Sequence, residues 1–135
     1  TNLSNGCTAA DQAVVNANLT VPTASAGPNE TLTCAVQNIT LNGTGSSAGS
    51  EFTYDWSSPN GGTVVSGNGT TNPVVNTPGT YVLVVTNTTN GCTATDDAVV
   101  NTNTTPPTAN IATPNQITCT QANVTLDGSG SIPSG

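Results

Sequence analysis

Few residues in this chain could do chemistry, and their types restrict what that chemistry is. The candidates are four cysteines (Cys7, Cys34, Cys92 and Cys119), seven carboxylates and four aromatic side chains, with no His, Lys, Arg or Met anywhere. General acid–base catalysis at neutral pH recruits His or a tuned Lys, so carboxylates alone remain. A cysteine nucleophile would lack an imidazole partner, and no serine has a base to complete a triad. No catalysis and no cofactor are expected. Without cations the chain cannot neutralise phosphates or be drawn to anionic lipid, so no nucleic-acid partner is expected. The longest apolar run, Tyr81–Val85, is far too short to cross a bilayer, so no membrane insertion of this segment is expected either.

Each remaining group has a bland and a sharp reading. Asp96, Asp97 and Asp127 could hold Ca²⁺, but no D-x-D-x-D-G loop surrounds them. They read as a solvated acidic edge of the kind that discourages sheet-edge pairing, and no metal is expected. Phe52, Tyr54, Trp56 and Tyr81 could stack a sugar. With so few large residues to fill a core, they read instead as its centre, with Trp56 as the plug. Nine N-x-S/T sequons, at Asn2, Asn18, Asn29, Asn38, Asn42, Asn68, Asn87, Asn103 and Asn123, are candidate glycosylation sites. About five would arise by chance in a chain this rich in Asn, Thr and Ser.

The elements that must position these groups are strands. Thr and Asn, 27 and 18 residues, make up a third of the chain and suit strand faces and turns. The apolar residues fall in short β-branched clusters, "NITLNG", "GTVVSG", "GTYVLVVTN" and "NVTLDG" among them, bounded by Gly, Pro, Asn and Ser. No window has helical periodicity. Seven strands are expected: Glu30–Cys34, Asn38–Asn42, Phe52–Ser57, Thr63–Ser66, Pro73–Asn76, Thr80–Thr86 and Cys92–Asn101. Seven short strands in about 85 residues describe an immunoglobulin-like Greek-key β-sandwich. Alternation in "TYVLVVT" places Tyr81, Leu83 and Val85 on one face and Val82 and Val84 on the other.

The sequence also repeats. "NGCTAADQAVVN" begins at Asn5 and "NGCTATDDAVVN" at Asn90, 85 residues on, and Thr1–Ser46 laid over Thr86–Ser131 gives 25 identities without gaps. This is the pattern of a tandem array. The joints fall at "LTVPTA" and "TTPPTA", which divides the chain into three. Residues 1–21 are the tail of a preceding repeat, 22–105 a complete repeat, and 106–135 the head of a following one. With no initiator Met and no signal-peptide pattern, the N-terminus reads as a processed or cut end.

"PTASAGPNETLTC", "NITLNGTGSS", "FTYDWS" and "PGTYVLVVTNTTNGCTATDDAVV", in that order and spacing, resemble the PKD/immunoglobulin-like repeats of very large secreted surface adhesins of Bacteroidota-type bacteria. After Trp56 the "DFGDG"-like turn of many PKD domains is replaced by "SSPNGG". The resemblance implies that Tyr81, Leu83 and Val85 face the core, with Trp56 and Leu41, so that Val82 and Val84 lie on the outer face. It implies a structural module of an extracellular stalk or fibre exported by the type IX system. It also implies neighbouring repeats as partners and a role in adhesion or gliding. The alternative is a ligand-binding module for carbohydrate or a partner protein.

An extracellular setting suits disulfides. Cys34 and Cys92 are expected to pair within one unit, with Cys7 and Cys119 paired outside this segment. Two other schemes share the 85-residue period: Cys7–Cys34 with Cys92–Cys119, or bonds between chains. A homo-oligomeric bundle, with Val82 and Val84 as its lateral contact, is the further expectation.

Overall fold

A computed structural model describes residues 1–133 and contains seven strands and no helix among them. They are β1 (Glu30–Thr33), β2 (Ile39–Thr40), β3 (Phe52–Ser57), β4 (Val64–Ser66), β5 (Val74–Val75), β6 (Gly79–Asn87) and β7 (Thr93–Asn103). All seven expected strands are present, with ends displaced by at most two residues. β2 and β5 shrink to two residues each. Beyond β5, the Pro73 carbonyl accepts the Leu41 N–H at 3.0 Å, so the β2–β5 contact continues without regular pairing.

The strands form two sheets, β1-β7-β6-β3 and β2-β5-β4, the layers of an immunoglobulin-like β-sandwich. β6 lies at the centre of the larger sheet, antiparallel to both β3 and β7. β1 and β7, the first and last strands, pair in parallel, with Glu30 opposite Val100 and Thr33 opposite Asn103. That single parallel pairing decides where the ends of the unit lie.

Period-2 alternation accounts for the core. Phe52, Tyr54 and Trp56 of β3 share a face, as do Tyr81, Leu83 and Val85 of β6. Trp56, Leu41, Tyr81, Leu83 and Val85 are all buried, joined by Leu32, Ile39, Val75, Ala98 and Val100. The two buried polar aromatics have partners. Trp56 Nε1–H donates to the Thr70 carbonyl at 2.9 Å, and the Tyr81 hydroxyl donates to the Thr77 carbonyl at 2.8 Å. Among the described residues no buried side-chain polar atom lacks a partner.

Candidate functional site

The parallel β1–β7 pair gives the unit two poles with different chemistry. The chain arrives at the proximal pole, where the start of the unit is clamped by hydrogen bonds. Thr23 N–H donates to Ser47 Oγ at 2.8 Å, Ser25 N–H to Ser46 Oγ at 3.0 Å, and Ala26 N–H to Asp96 Oδ2 at 2.8 Å. The β6–β7 turn closes the same pole. Asn87 N–H donates to the Cys92 carbonyl, and Gly91 supplies the positive φ of 74° that the turn needs. The Asn90 amide in this turn reaches back to the incoming chain, donating to Asn18 Oδ1 at 3.2 Å and to the Thr20 carbonyl at 3.0 Å.

The chain leaves at the distal pole, where β7 ends beside β1. Thr33 N–H donates to the Val36 carbonyl to turn the chain. The Cys34 thiol lies 3.6 Å from the Thr104 carbonyl. A concavity of about 400 Å³, lined by Leu32, Gln37, Asn76, Pro78 and Thr102 among others, opens here.

The poles overturn the expected Cys34–Cys92 disulfide. Cys34 follows Thr33, which lies opposite Asn103 at the end of β7, whereas Cys92 precedes Thr93 at its beginning. The eleven-residue β7 separates them. At about 3.3 Å per residue that is roughly 35–40 Å, against the 4.4–6.8 Å that a disulfide's Cα atoms require. All four cysteines are free thiols.

The three candidate carboxylates do not gather. Asp96 holds Ala26 N–H, Asp97 sits across from Val82, and Asp127 belongs to the downstream segment. Among the described residues no three His, Cys, Asp or Glu come together to hold a metal. Asp127 is fully exposed, and hydrogen bonds from the Ser129 side chain and backbone hold its carboxyl below the usual carboxylate range.

None of the four aromatics is exposed. Several sequon asparagines tie separate segments together. Asn29 Oδ1 accepts Val99 N–H, and Asn68 Oδ1 accepts Trp56 N–H while its amide donates to Asp55. Asn87 is buried, with its oxygen held by Thr89 N–H, and so is closed to a glycan. Val82 and Val84 face outward but are half-buried in the sheet, flanked by Ser57 and Asp97 and by Asp55 and Thr95.

The same hydrogen bonds recur 85 residues apart. The Asn87–Cys92 turn has its counterpart in Asn2–Cys7, including a Gly6 φ of 70° and the Cys7 N–H to Asn5 Oδ1 bond. The Ser25–Ser46 clamp has its counterpart in Asn110–Ser131, where Asn110 N–H donates to Ser131 Oγ at 3.1 Å. Pairing between strands does not recur. The downstream segment holds two isolated bridges, Thr108–Ile132 and Thr118–Gln121, and the upstream segment no strand.

Sequence reasoning missed the joint residues Asn18, Thr20, Asn90 and Asp96. "NG" at Asn90–Gly91 announces a turn, but its partner Asn18 lies 72 residues away, where no local pattern points.

No curated protein matches the chain. A solved structure, the solution structure of the PKD domain from KIAA 1837 protein, is 21% identical, with 70% of this chain and 97% of that chain covered at a TM-score of 0.45. Residues 26–102 match the family model described as "K319L-like, PKD domain". That span is more than half of the sequence, and the chain belongs to this family.

Proposed function

We propose that the chain is a segment of a tandem array of PKD modules forming the stalk of a secreted surface fibre or adhesin, each module a structural repeat. PKD domains are structural or binding modules and are generally non-catalytic. The observation that carries the stalk reading is the placement of the ends. Because β1 and β7 are parallel, the chain comes in at one pole and leaves at the other. Copies joined in this way add length, at roughly 35–40 Å for each passage of β7. The turns and clamps that recur at 85 residues support further copies on either side.

An extracellular, cell-surface location fits the Thr/Asn-rich, cation-free composition. In this reading the partners of each unit are its neighbours in the same chain. A lateral bundle would rest on Val82 and Val84, whose half-burial leaves little apolar area for a second chain. The ligand-binding alternative loses its motivation, because all four aromatics face inward.

Small-angle scattering on chains of increasing repeat number tests the stalk. The maximum dimension should grow by about 40 Å per unit. Growth as the cube root of mass, as in a compact cluster, would contradict it.

A further inference from the structure

The two poles carry one cysteine each, and the joint residues show what those cysteines face. The Cys34 thiol lies against the Thr104 carbonyl, the middle residue of Asn103–Thr104–Thr105. One period upstream the same tripeptide is Asn18–Leu19–Thr20. There Asn90 of the following unit bonds both flanking residues, at 3.2 and 3.0 Å. Cys92 belongs to the same turn as Asn90, its N–H donating to Asn90 Oδ1 at 2.9 Å. Superposing the two joints therefore puts Cys34 of one unit and the Cys92 turn of the next on one three-residue linker.

We propose that Cys34 of each unit forms a disulfide with the counterpart of Cys92 in the next unit, a covalent staple across every joint. The proposal rests on the tandem reading above. The other schemes within one chain fail on geometry. Cys34 and Cys92 of one unit lie at opposite poles. Cys7 and Cys34 occupy the far poles of two adjacent units, as do Cys92 and Cys119, and those pairs would be about two domain lengths apart. In the reaction one thiolate attacks a sulfur of an external disulfide oxidant and displaces a thiolate from it. The second cysteine then attacks the mixed disulfide. Two electrons pass to the oxidant, which leaves as a dithiol, and the two thiol protons go to the oxidant's sulfurs or to solvent. The staple removes the hinge freedom of a short Pro-containing joint, while the clamps at Thr23, Ser25 and Ala26 already hold the incoming chain.

Two samples test this. The first is the 135-residue chain carrying Cys7→Ser and Cys119→Ser, treated with oxidised dithiothreitol. It should keep two alkylatable thiols by intact mass. A Cys34–Cys92 disulfide there would overturn the proposal. The second is the full-length protein isolated without reductant. Cleavage ahead of Asp11, Asp55 and Asp96 separates Cys7, Cys34 and Cys92 onto different peptides. The expected products are Cys34-type peptides linked to Cys92-type peptides of the following unit, identified by residues that differ between copies. Free thiols in the full-length chain, or covalent multimers on a non-reducing gel, would overturn the staple while leaving the array intact. A full-length chain without the 85-residue period would remove both the array and the staple.

Discussion

Residues 22–105 and their flanking copies share about half of their aligned residues and have different fates. Leu41 is 1% exposed, and its counterpart Leu126 is 67% exposed; Val100 is 1% exposed, and its counterpart Val15 is 94% exposed. The turns, by contrast, are alike in both. Asn2–Cys7 and Asn87–Cys92 make the same bonds, because an Asx turn needs only its own few residues. A strand needs partners. Residues 1–21 form no strand, and residues 106–133 hold only isolated bridges. The comparison separates what is written locally from what topology supplies.

The largest effect should come from removing the plug. Trp56→Ala empties the centre of the core and leaves the Thr70 carbonyl without its donor. A loss of about 3–5 kcal/mol is expected, measured by guanidinium unfolding followed by circular dichroism. The Gly6 and Ser131 amide shifts should stay put, since those turns do not depend on the sandwich. Coordinated loss of both would break the distinction.

The paired substitution sharpens it. Leu41→Ala should cost about 2–5 kcal/mol, and Leu126→Ala should change stability by less than about 0.5 kcal/mol. Equal losses at the two sites would show that the downstream copy is packed as well.

A smaller effect follows at the turns. Gly91→Ala puts a Cβ at φ 74° and should cost about 1–2 kcal/mol. Gly6→Ala, with φ 70°, should disturb its own turn and leave the unfolding midpoint unchanged.

The smallest effect is at Asp127. Its folded pKa is lowered by the Ser129 hydrogen bonds, so its contribution is present above the unfolded pKa and is lost as pH falls through the depressed folded value. Between pH 7 and 5 the Ser129 amide resonance should hold steady, and it should move only in more acid solution. The melting temperature should not follow it, because the turn lies outside the complete unit.

Seven strands were legible because period-2 alternation and turn residues are local signals. Alternation in "TYVLVVT" put Tyr81, Leu83 and Val85 on one face, and the family resemblance made that face the core. The cysteine pairing was not legible. A shared 85-residue period says that Cys34 and Cys92 occur once per unit, not which pole each occupies. That depends on β1 running parallel to β7, which neither strand's pattern encodes. The Asn90–Asn18 bond was hidden for the same reason, and so was the role of Asp96, which looked like part of an acidic edge. Ala26, Val75 and Pro73 escaped notice as core residues because β5 is only two residues long and Ala26 lies in no strand, so no alternation marks them.

Native-state hydrogen exchange on the 135-residue chain tests the central claim most directly, by comparing Ala94–Val100 with the equivalent Ala9–Val15. Pairing with β6 and β1 should make the paired amides of the first segment exchange only through unfolding of the sandwich, orders of magnitude slower than unstructured peptide. The second segment should exchange within about tenfold of the unstructured rate. Comparable protection in both would show that the upstream copy is paired too, and would contradict the claim that closely similar sequence folds here only where its partner strands are present.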